Sequence, residues 1–163
     1  MPSSRTSAGE LLFLDTSVLM RLYYLERDDP FAWAVGLAQR PDALLAASHL
    51  AYVETLAAFH ALRRGRAITS RRQASLSAAF RAHWPSFLRV PLSLPVVQLA
   101  GALAEEHPLR GADALQLASF AWLWEKEGKG RFFTLDRRLY RVARGLVPTV
   151  PVPAFEEVQT AKK

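Results

Sequence analysis

Short uninterrupted apolar runs alternate along the chain with longer segments in which apolar residues recur at helical spacing. Apolar runs of this kind, bounded by turn residues, are typical of buried strands. The last run contains Pro148 and Pro151, and because proline cannot donate a backbone hydrogen bond we expect it at a sheet edge. The predicted strands are 11–14, 44–47, 87–90, 131–134 and 147–152.

The segments between these strands have the boundary residues of helices. Ser48 is a predicted N-cap for a helix that ends at Gly65, and Ser70 is a predicted N-cap for the next helix. Strands that alternate with helices favour an α/β fold, in which a parallel sheet of about five short strands carries helices on both faces. The predicted helices are 17–25, 30–39, 49–64, 70–83, 95–106, 112–127 and 137–144.

Length and composition predict a single domain. The chain has 163 residues and no Cys, which excludes disulfides, thiolate metal sites and cysteine nucleophiles. We expect one domain over 1–163, with a core of about 11–155 and frayed ends. Charged residues or prolines interrupt every apolar run before it reaches the length of a membrane span, and the first ten residues lack a signal-peptide pattern. These features predict a soluble, cytoplasmic protein with no membrane partner.

The net charge of +6 is unevenly distributed. Residues 55–104 contain seven Arg and no acidic residue, and a second basic run follows Asp136. Basic surfaces attract polyanions, and arginine binds phosphate through two parallel hydrogen bonds, although a solvated helix face is the alternative for either run. The candidate nucleic-acid-binding residues are Arg63, Arg64, Arg66, Arg71, Arg72, Arg110, Arg137 and Arg138.

Three aspartates lie where predicted helices begin. Asp15 follows the first strand, Asp136 follows the strand at 131–134, and Asp113 opens the helix at 112–127. Ligands of parallel α/β sheets bind beyond the carboxyl ends of the strands, which is where these residues are expected. Helix capping, or interaction with the helix dipole, is the alternative for each aspartate.

Glu54 lies well inside the predicted helix 49–64. The residues that share its helical face, at 50, 53, 57 and 61, are all apolar. A carboxylate on an apolar face is costly unless it is paired or binds a metal ion. An ion pair with Arg110 is the alternative to metal binding.

Several carboxylates at one end of a sheet would repel one another unless a cation neutralised them. Oxygen donors without Cys or His favour Mg²⁺ or Mn²⁺. Such a cation orients an attacking water and stabilises the charge that develops on a phosphate. The residues therefore predict metal-dependent hydrolysis of phosphodiester bonds, with four acids as metal ligands and catalytic residues: Asp15, Glu54, Asp113 and Asp136.

Other chemistries have less support. The nucleotide-binding glycine motifs and the serine-hydrolase motif are absent, and the histidines at 49, 60, 83 and 107 lack zinc-site spacing. The break near Gly65, with arginines on both sides, resembles a helix-turn-helix, so a non-catalytic nucleic-acid-binding module is an alternative. That alternative leaves Glu54 and the aspartates unexplained.

Four segments carry a family resemblance. An apolar strand leads into Asp-Thr-Ser-Val-Leu at 15–19, and Ser48 is followed six residues later by a helical Glu54. The segment 109–118 surrounds Asp113, and a later strand ends in Thr-x-Asp at 134–136. In this order, and over roughly 11–155, the segments resemble a PIN domain, the small α/β nuclease module found in toxins of the VapC type.

This resemblance implies a doubly wound parallel sheet and an acidic Mg²⁺ or Mn²⁺ site of Asp15, Glu54, Asp113 and Asp136. The hydroxyls of Thr16, Ser17 and Thr134 are then secondary polar contacts. For the toxin members it implies an endoribonuclease that cleaves RNA, forms a homodimer and is inhibited by an antitoxin protein. An RNA-processing PIN nuclease without an antitoxin is the alternative within the family.

Overall fold

Four parallel strands form a single sheet in the structure, a computed structural model that describes residues 9–156. The strands are β1 (Glu10–Leu14), β2 (Ala43–Ser48), β3 (Leu88–Val90) and β4 (Arg131–Phe133). Their order across the sheet is β3-β2-β1-β4. Because β1 lies between β2 and β4, the segments that leave the carboxyl ends of these three strands start side by side.

The fifth predicted strand, 147–152, is reduced to a bridge beside β4. Phe132 donates its backbone N–H to the carbonyl oxygen of Pro148 (2.8 Å) and accepts from the N–H of Val150 (2.8 Å). The pairing does not continue as a ladder, because Pro148 has no backbone N–H to donate and the N–H of Val152 donates to the hydroxyl of Tyr140 (3.2 Å) instead. The predicted edge position is therefore right, and the count of about five strands becomes four strands and one bridge.

Eight α-helices connect and cover the strands within the described residues. The predicted first helix, 17–25, is a single turn that continues into a 3₁₀ turn at Met20–Leu22. No helix of the described part of the chain is long and apolar enough to cross a membrane. The helices are α1 (Thr16–Leu19), α2 (Ala32–Ala38), α3 (His49–Arg64), α4 (Ser70–His83), α5 (Leu94–Glu106), α6 (Gly111–Glu127), α7 (Arg137–Ala143) and α8 (Pro153–Glu156).

Capping residues account for the bounds of the long helices. The Ser48 hydroxyl accepts the backbone N–H of Ala51 at 3.1 Å and so caps α3, as predicted. The predicted cap of α4 is wrong by one residue. Thr69, not Ser70, accepts the N–H of Arg72 at 3.1 Å, because Thr69 has the extended backbone that an N-cap requires and Ser70 is already helical.

Alternate residues of β1 point to opposite faces of the sheet, and both faces are covered. Leu12 and Leu14 belong to a core cluster that includes residues of α1, α3 and α4. Leu11 and Phe13 belong to a second cluster that includes residues of α5 and α6. The predicted parallel α/β fold with helices on both faces is thus confirmed, and the predicted frayed ends lie outside the described residues.

Candidate functional site

Asp15 is the most buried of the four candidate acids. Its backbone N–H donates to the carbonyl oxygen of Phe133 at 3.1 Å, which joins the end of β1 to the end of β4. Its carboxylate accepts from the hydroxyl of Ser17 (2.5 Å), the N–H of Val18 (3.3 Å) and the hydroxyl of Thr134 (2.6 Å). Asp15 therefore caps α1 and is also fixed at the carboxyl end of the sheet.

Burial raises the pKa of Asp15 from 3.8 to about 6. The hydrogen bonds from Ser17, Thr134 and Val18 oppose this shift, and the nearby charge of Asp136 adds to it. The ionised form of Asp15 is thus present at neutral pH at a cost in free energy that a bound cation would offset.

The hydroxyls predicted as secondary contacts at Ser17 and Thr134 join Asp15 to the loop after β4. Thr134 accepts the N–H of Asp136 at 3.1 Å, and Ser17 accepts the N–H of Leu135 at 2.9 Å. Asp136 in turn caps α7 by accepting the N–H of Leu139 at 2.9 Å. Helix capping, the alternative reading, is therefore correct for Asp15 and Asp136, and it coexists with their placement at one site.

Glu54 lies in the second turn of α3, which begins directly after β2. One carboxylate oxygen, Oε1, accepts from the hydroxyl of Thr16 (2.8 Å) and from the amide Nε2 of Gln116 (2.9 Å). The third predicted hydroxyl contact, Thr16, therefore serves Glu54 rather than Asp15. Within residues 9–156, no hydrogen bond reaches the second oxygen, Oε2.

The apolar face that the sequence predicted around Glu54 is not the face of α3 that packs into the core. The side of α3 that packs into the core carries Ala51, Thr55 and Phe59, whereas Val53 is 61% exposed. The helix is rich in Ala and Leu on several sides, so its sequence does not define a single apolar stripe. Glu54 is half-buried, and its partners are a hydroxyl and an amide.

Gln116 is a site residue that the sequence analysis missed. It is only 3% exposed, and its Oε1 accepts from the hydroxyl of Ser48 at 2.9 Å while its Nε2 contacts Glu54 and the hydroxyl of Thr16 (3.2 Å). The sequence does indicate that Gln116 lies near Asp113, because a residue three places later lies on the same face of a helix.

Asp113 lies in the first turn of α6 but does not cap it. The N-cap residue is Arg110, which makes no side-chain capping bond. Burial raises the pKa of Asp113, and the charges of Asp136 and then Glu54 raise it further, while Arg110 and Arg138 oppose the shift. Asp113 is therefore not a cap, but its place in the first turn fits the other half of the alternative, a favourable interaction with the helix dipole. Electrostatic interactions also connect it to two of the other candidate acids.

The two ends of the sheet differ in how their acids are neutralised. At the amino end of β1, Glu10 forms ion pairs with Arg40 and Arg131. At the carboxyl end, none of the four candidate acids forms an ion pair with any residue in the described part of the chain. An ion pair between Glu54 and Arg110, the alternative to metal binding, is thus not formed.

The donor chemistry of this end of the sheet fits a hard divalent cation, because only oxygen ligands are present. Glu54 Oε2 accepts no hydrogen bond from the described residues, and the carboxylate of Asp113 accepts none from them either. As the side chains are placed, no three acidic or histidine residues among 9–156 are close enough together to hold one metal ion. Charges within the cluster therefore interact, but the carboxylates are not close enough together to act as ligands of one ion as they are placed.

The candidate arginines divide into two groups. Arg63, Arg64, Arg66, Arg71 and Arg72 surround the turn between α3 and α4. Arg63 is nine positions after Glu54 on α3, and each position adds about 1.5 Å along the helix axis. This group therefore begins about 14 Å from Glu54 along α3. The other group lies beside the acids: Arg110, Arg137 and Arg138.

A cavity of about 420 Å³ lies on the α7 side of the acids. Its lining residues are Pro108, Arg137, Arg138, Arg141 and Val142. Three of these five side chains carry a guanidinium group and none carries a carboxylate, which makes the cavity an anion-attracting pocket.

Comparison with known proteins identifies the family of the chain. The sequence pattern of the PIN domain matches residues 12–145. Ribonuclease VapC45 of Mycobacterium tuberculosis (strain CDC 1551 / Oshkosh) is 38% identical over 109 residues, which are 67% of this chain and 74% of that protein.

Solved structures show the same fold. A toxin-antitoxin complex from Klebsiella pneumoniae contains a chain with a TM-score of 0.58 and 19% identity, and the match covers 86% of this chain and 96% of that one. VapC20 of Mycobacterium tuberculosis, described as a Sarcin-Ricin loop cleaving toxin, has a TM-score of 0.57 and 23% identity, over 86% and 99% of the two chains. The strand order, the acids at the carboxyl end of the sheet and the match over residues 12–145 together show that this chain belongs to the PIN domain family.

Proposed function

We propose that this protein is a metal-dependent endoribonuclease that acts as one domain, and that it is the toxin of a toxin–antitoxin pair. The observation that carries the proposal is the cluster of Asp15, Glu54, Asp113 and Asp136: charges within it interact, and none of the four forms an ion pair within the described residues. The name of the curated relative, a ribonuclease, supports the activity. The structural similarity to a toxin-antitoxin complex supports the assignment as a toxin.

In this proposal the four acids hold Mg²⁺ or Mn²⁺. When bound, the cation lowers the pKa of a water molecule and stabilises the charge on the phosphate and the leaving oxygen. The chain itself fixes Asp15 through three hydrogen bonds and leaves the half-buried Asp113 free to approach the cation. Asp136 also caps α7, so its backbone position is held while its carboxylate faces the same cluster.

The arginines beside the acids receive the RNA backbone in this proposal. Arg110 and Arg138 lie close enough to lower the pKa of Asp113, so their charges act where a phosphate would lie. The α7 cavity extends this basic surface away from the acids. The arginines of the α3–α4 turn lie farther off and would contact more distant nucleotides or a protein partner.

An antitoxin that covers the four acids, a homodimer and a cytoplasmic location complete the proposal. The exposed Val53 lies beside Glu54 on α3, next to a groove of about 660 Å³ between α3 and α4, and it offers an apolar surface adjacent to the acids. Exposed apolar side chains in such a position are typical of protein interfaces.

Cleavage of RNA tests the proposed activity. We expect cleavage with Mg²⁺ or Mn²⁺, none in excess chelator, and a loss of at least about 100-fold in kcat for Asp15→Asn and for Asp113→Asn, because each removes a charged ligand. The matched control is Asp42→Asn: Asp42 precedes β2 at the opposite end of the sheet and contacts Arg40 at 3.7 Å. Undiminished cleavage by both site variants, or in chelator, contradicts the proposal.

A further inference from the structure

We propose that Gln116 is a positioning residue that fixes the carboxylate of Glu54 for cation binding; this inference rests on the proposed function. Gln116 lies on α6, 62 residues along the chain from Glu54, and its side chain is 3% exposed. No charge resides on it, so its contribution is orientation through hydrogen bonds.

Ser48 sets the direction of the Gln116 amide. The Ser48 hydroxyl oxygen already accepts the N–H of Ala51, so its own hydrogen is free and is donated to Gln116 Oε1 at 2.9 Å. With the oxygen held at Ser48, the amide nitrogen faces Glu54 Oε1 (2.9 Å) and Thr16 (3.2 Å). The reversed amide would place its oxygen against the Glu54 carboxylate, where two acceptors repel each other.

Thr16 completes the network without leaving a donor unused. Its hydroxyl accepts from Gln116 and donates to Glu54 Oε1 at 2.8 Å. Glu54 Oε1 thus receives two hydrogen bonds, and Oε2 receives none from the described residues. One oxygen holds the carboxylate in place and the other remains available as a ligand.

The network also joins the elements that carry two of the other acids, Asp15 and Asp113. Ser48 ends β2, Thr16 follows Asp15, and Gln116 follows Asp113 by one helical turn. A shift of α6 relative to α3 would therefore break the bonds to Glu54 and change the spacing between Glu54 and Asp113. Because Gln116 is buried, its amide would lose these hydrogen bonds without gaining bonds to solvent in exchange.

Direct Mn²⁺ titration of the RNA-free protein tests this role, with RNA cleavage measured in parallel. Gln116→Met keeps the side-chain volume but removes both donors, and Gln116→Asn keeps the amide on a side chain too short to reach Ser48 and Glu54 together. For each variant we expect the Kd for Mn²⁺, and the Mn²⁺ concentration for half-maximal cleavage, to rise about 10- to 100-fold. The thermal shift produced by a fixed Mn²⁺ concentration should shrink correspondingly.

Ser119→Ala is the matched control. Ser119 is fully buried on the same helix, and its hydroxyl donates to the Leu115 carbonyl at 2.7 Å rather than to the site. A Kd within about two-fold of wild type in folded Gln116→Met or Gln116→Asn overturns the inference, as does an equal loss in Ser119→Ala. The proposed function is retained if the wild-type protein binds Mn²⁺ and cleaves RNA while the Gln116 variants behave like wild type. If the wild-type protein does neither, both the proposed function and the role of Gln116 are contradicted.

Discussion

Asp15 combines two roles that sequence reasoning treats as alternatives. Its carboxylate caps α1 through Val18 and lies at the carboxyl end of the sheet with Thr134 and Asp136 nearby. An N-cap needs an acceptor just after a strand, and a ligand site of a parallel sheet is in the same place, so one residue satisfies both requirements. Asp113 caps nothing, and its local contribution is limited to a favourable interaction with the dipole of α6.

The burial of Asp15 predicts a specific pH dependence of stability in the absence of divalent cations. Because its pKa rises from 3.8 to about 6 on folding, its protonation stabilises the fold fully below about pH 4, and this contribution is lost as the pH rises through 6. A shift of this size corresponds to about 3 kcal/mol.

Urea unfolding in chelator between pH 4 and pH 7.5 measures this effect. The free energy of unfolding of wild type should fall by about 3 kcal/mol relative to that of Asp15→Asn, which has no carboxyl to ionise. If the free energies of unfolding of the two proteins change equally with pH, burial does not raise the pKa of Asp15.

At the scale of elements, local signals determined the helices more completely than the strands. The bounds of α3 follow from Ser48 and Gly65, both readable in the sequence. The last strand did not form a ladder because Pro148 lacks a donor and the N–H of Val152 donates to the Tyr140 hydroxyl, a contact that the sequence does not reveal. The environment of Glu54 could not be predicted, since the buried face of α3 is set by how α4 and the sheet pack against an alanine-rich helix.

We expect the arginines of α7 and those of the α3–α4 turn to contribute differently to RNA binding. Arg138 and Arg141 line the cavity beside the acids, whereas Arg71 and Arg72 lie at the distant turn. If the protein is the proposed ribonuclease, Arg138→Gln and Arg141→Gln should each weaken RNA binding in an inactive Asp15→Asn background, because each removes a proposed phosphate contact. Each should also reduce the slope of log K against log salt by about 1.

The comparison with the turn uses Arg71→Gln and Arg72→Gln in the same background. For a short RNA that spans only the cleavage site, these two changes should leave affinity and salt slope near those of the parent protein. Equal losses from the two groups would place the RNA across both surfaces instead. Filter binding or fluorescence anisotropy between 50 and 200 mM salt gives the slopes.

At the scale of the whole molecule, the net charge of +6 conceals a separation between an acidic cluster and basic surfaces. Basic residues lie on α7 and, farther away, at the α3–α4 turn, and they accompany an acidic cluster in which the charge of Asp136 raises the pKa of Asp15 and of Asp113. The sequence predicted that the acids share one end of the sheet, because parallel strands align their carboxyl ends. It could not predict Gln116, whose role depends on the distance between α3 and α6.

Repulsion within the acidic cluster predicts how the stability of the whole protein responds to cations. In chelator, Asp113→Asn should have a Tm equal to or above that of wild type, because it removes a charge that Asp136 and Glu54 disfavour and breaks no hydrogen bond of the described residues. On addition of Mn²⁺ the order should reverse, since wild type binds the cation more tightly and gains RT ln(1 + [L]/Kd). Differential scanning calorimetry in chelator and in Mn²⁺ measures the Tm of both proteins under each condition. A large drop in Tm for Asp113→Asn in chelator would assign this residue a structural role in α6 and remove it from the repulsive cluster.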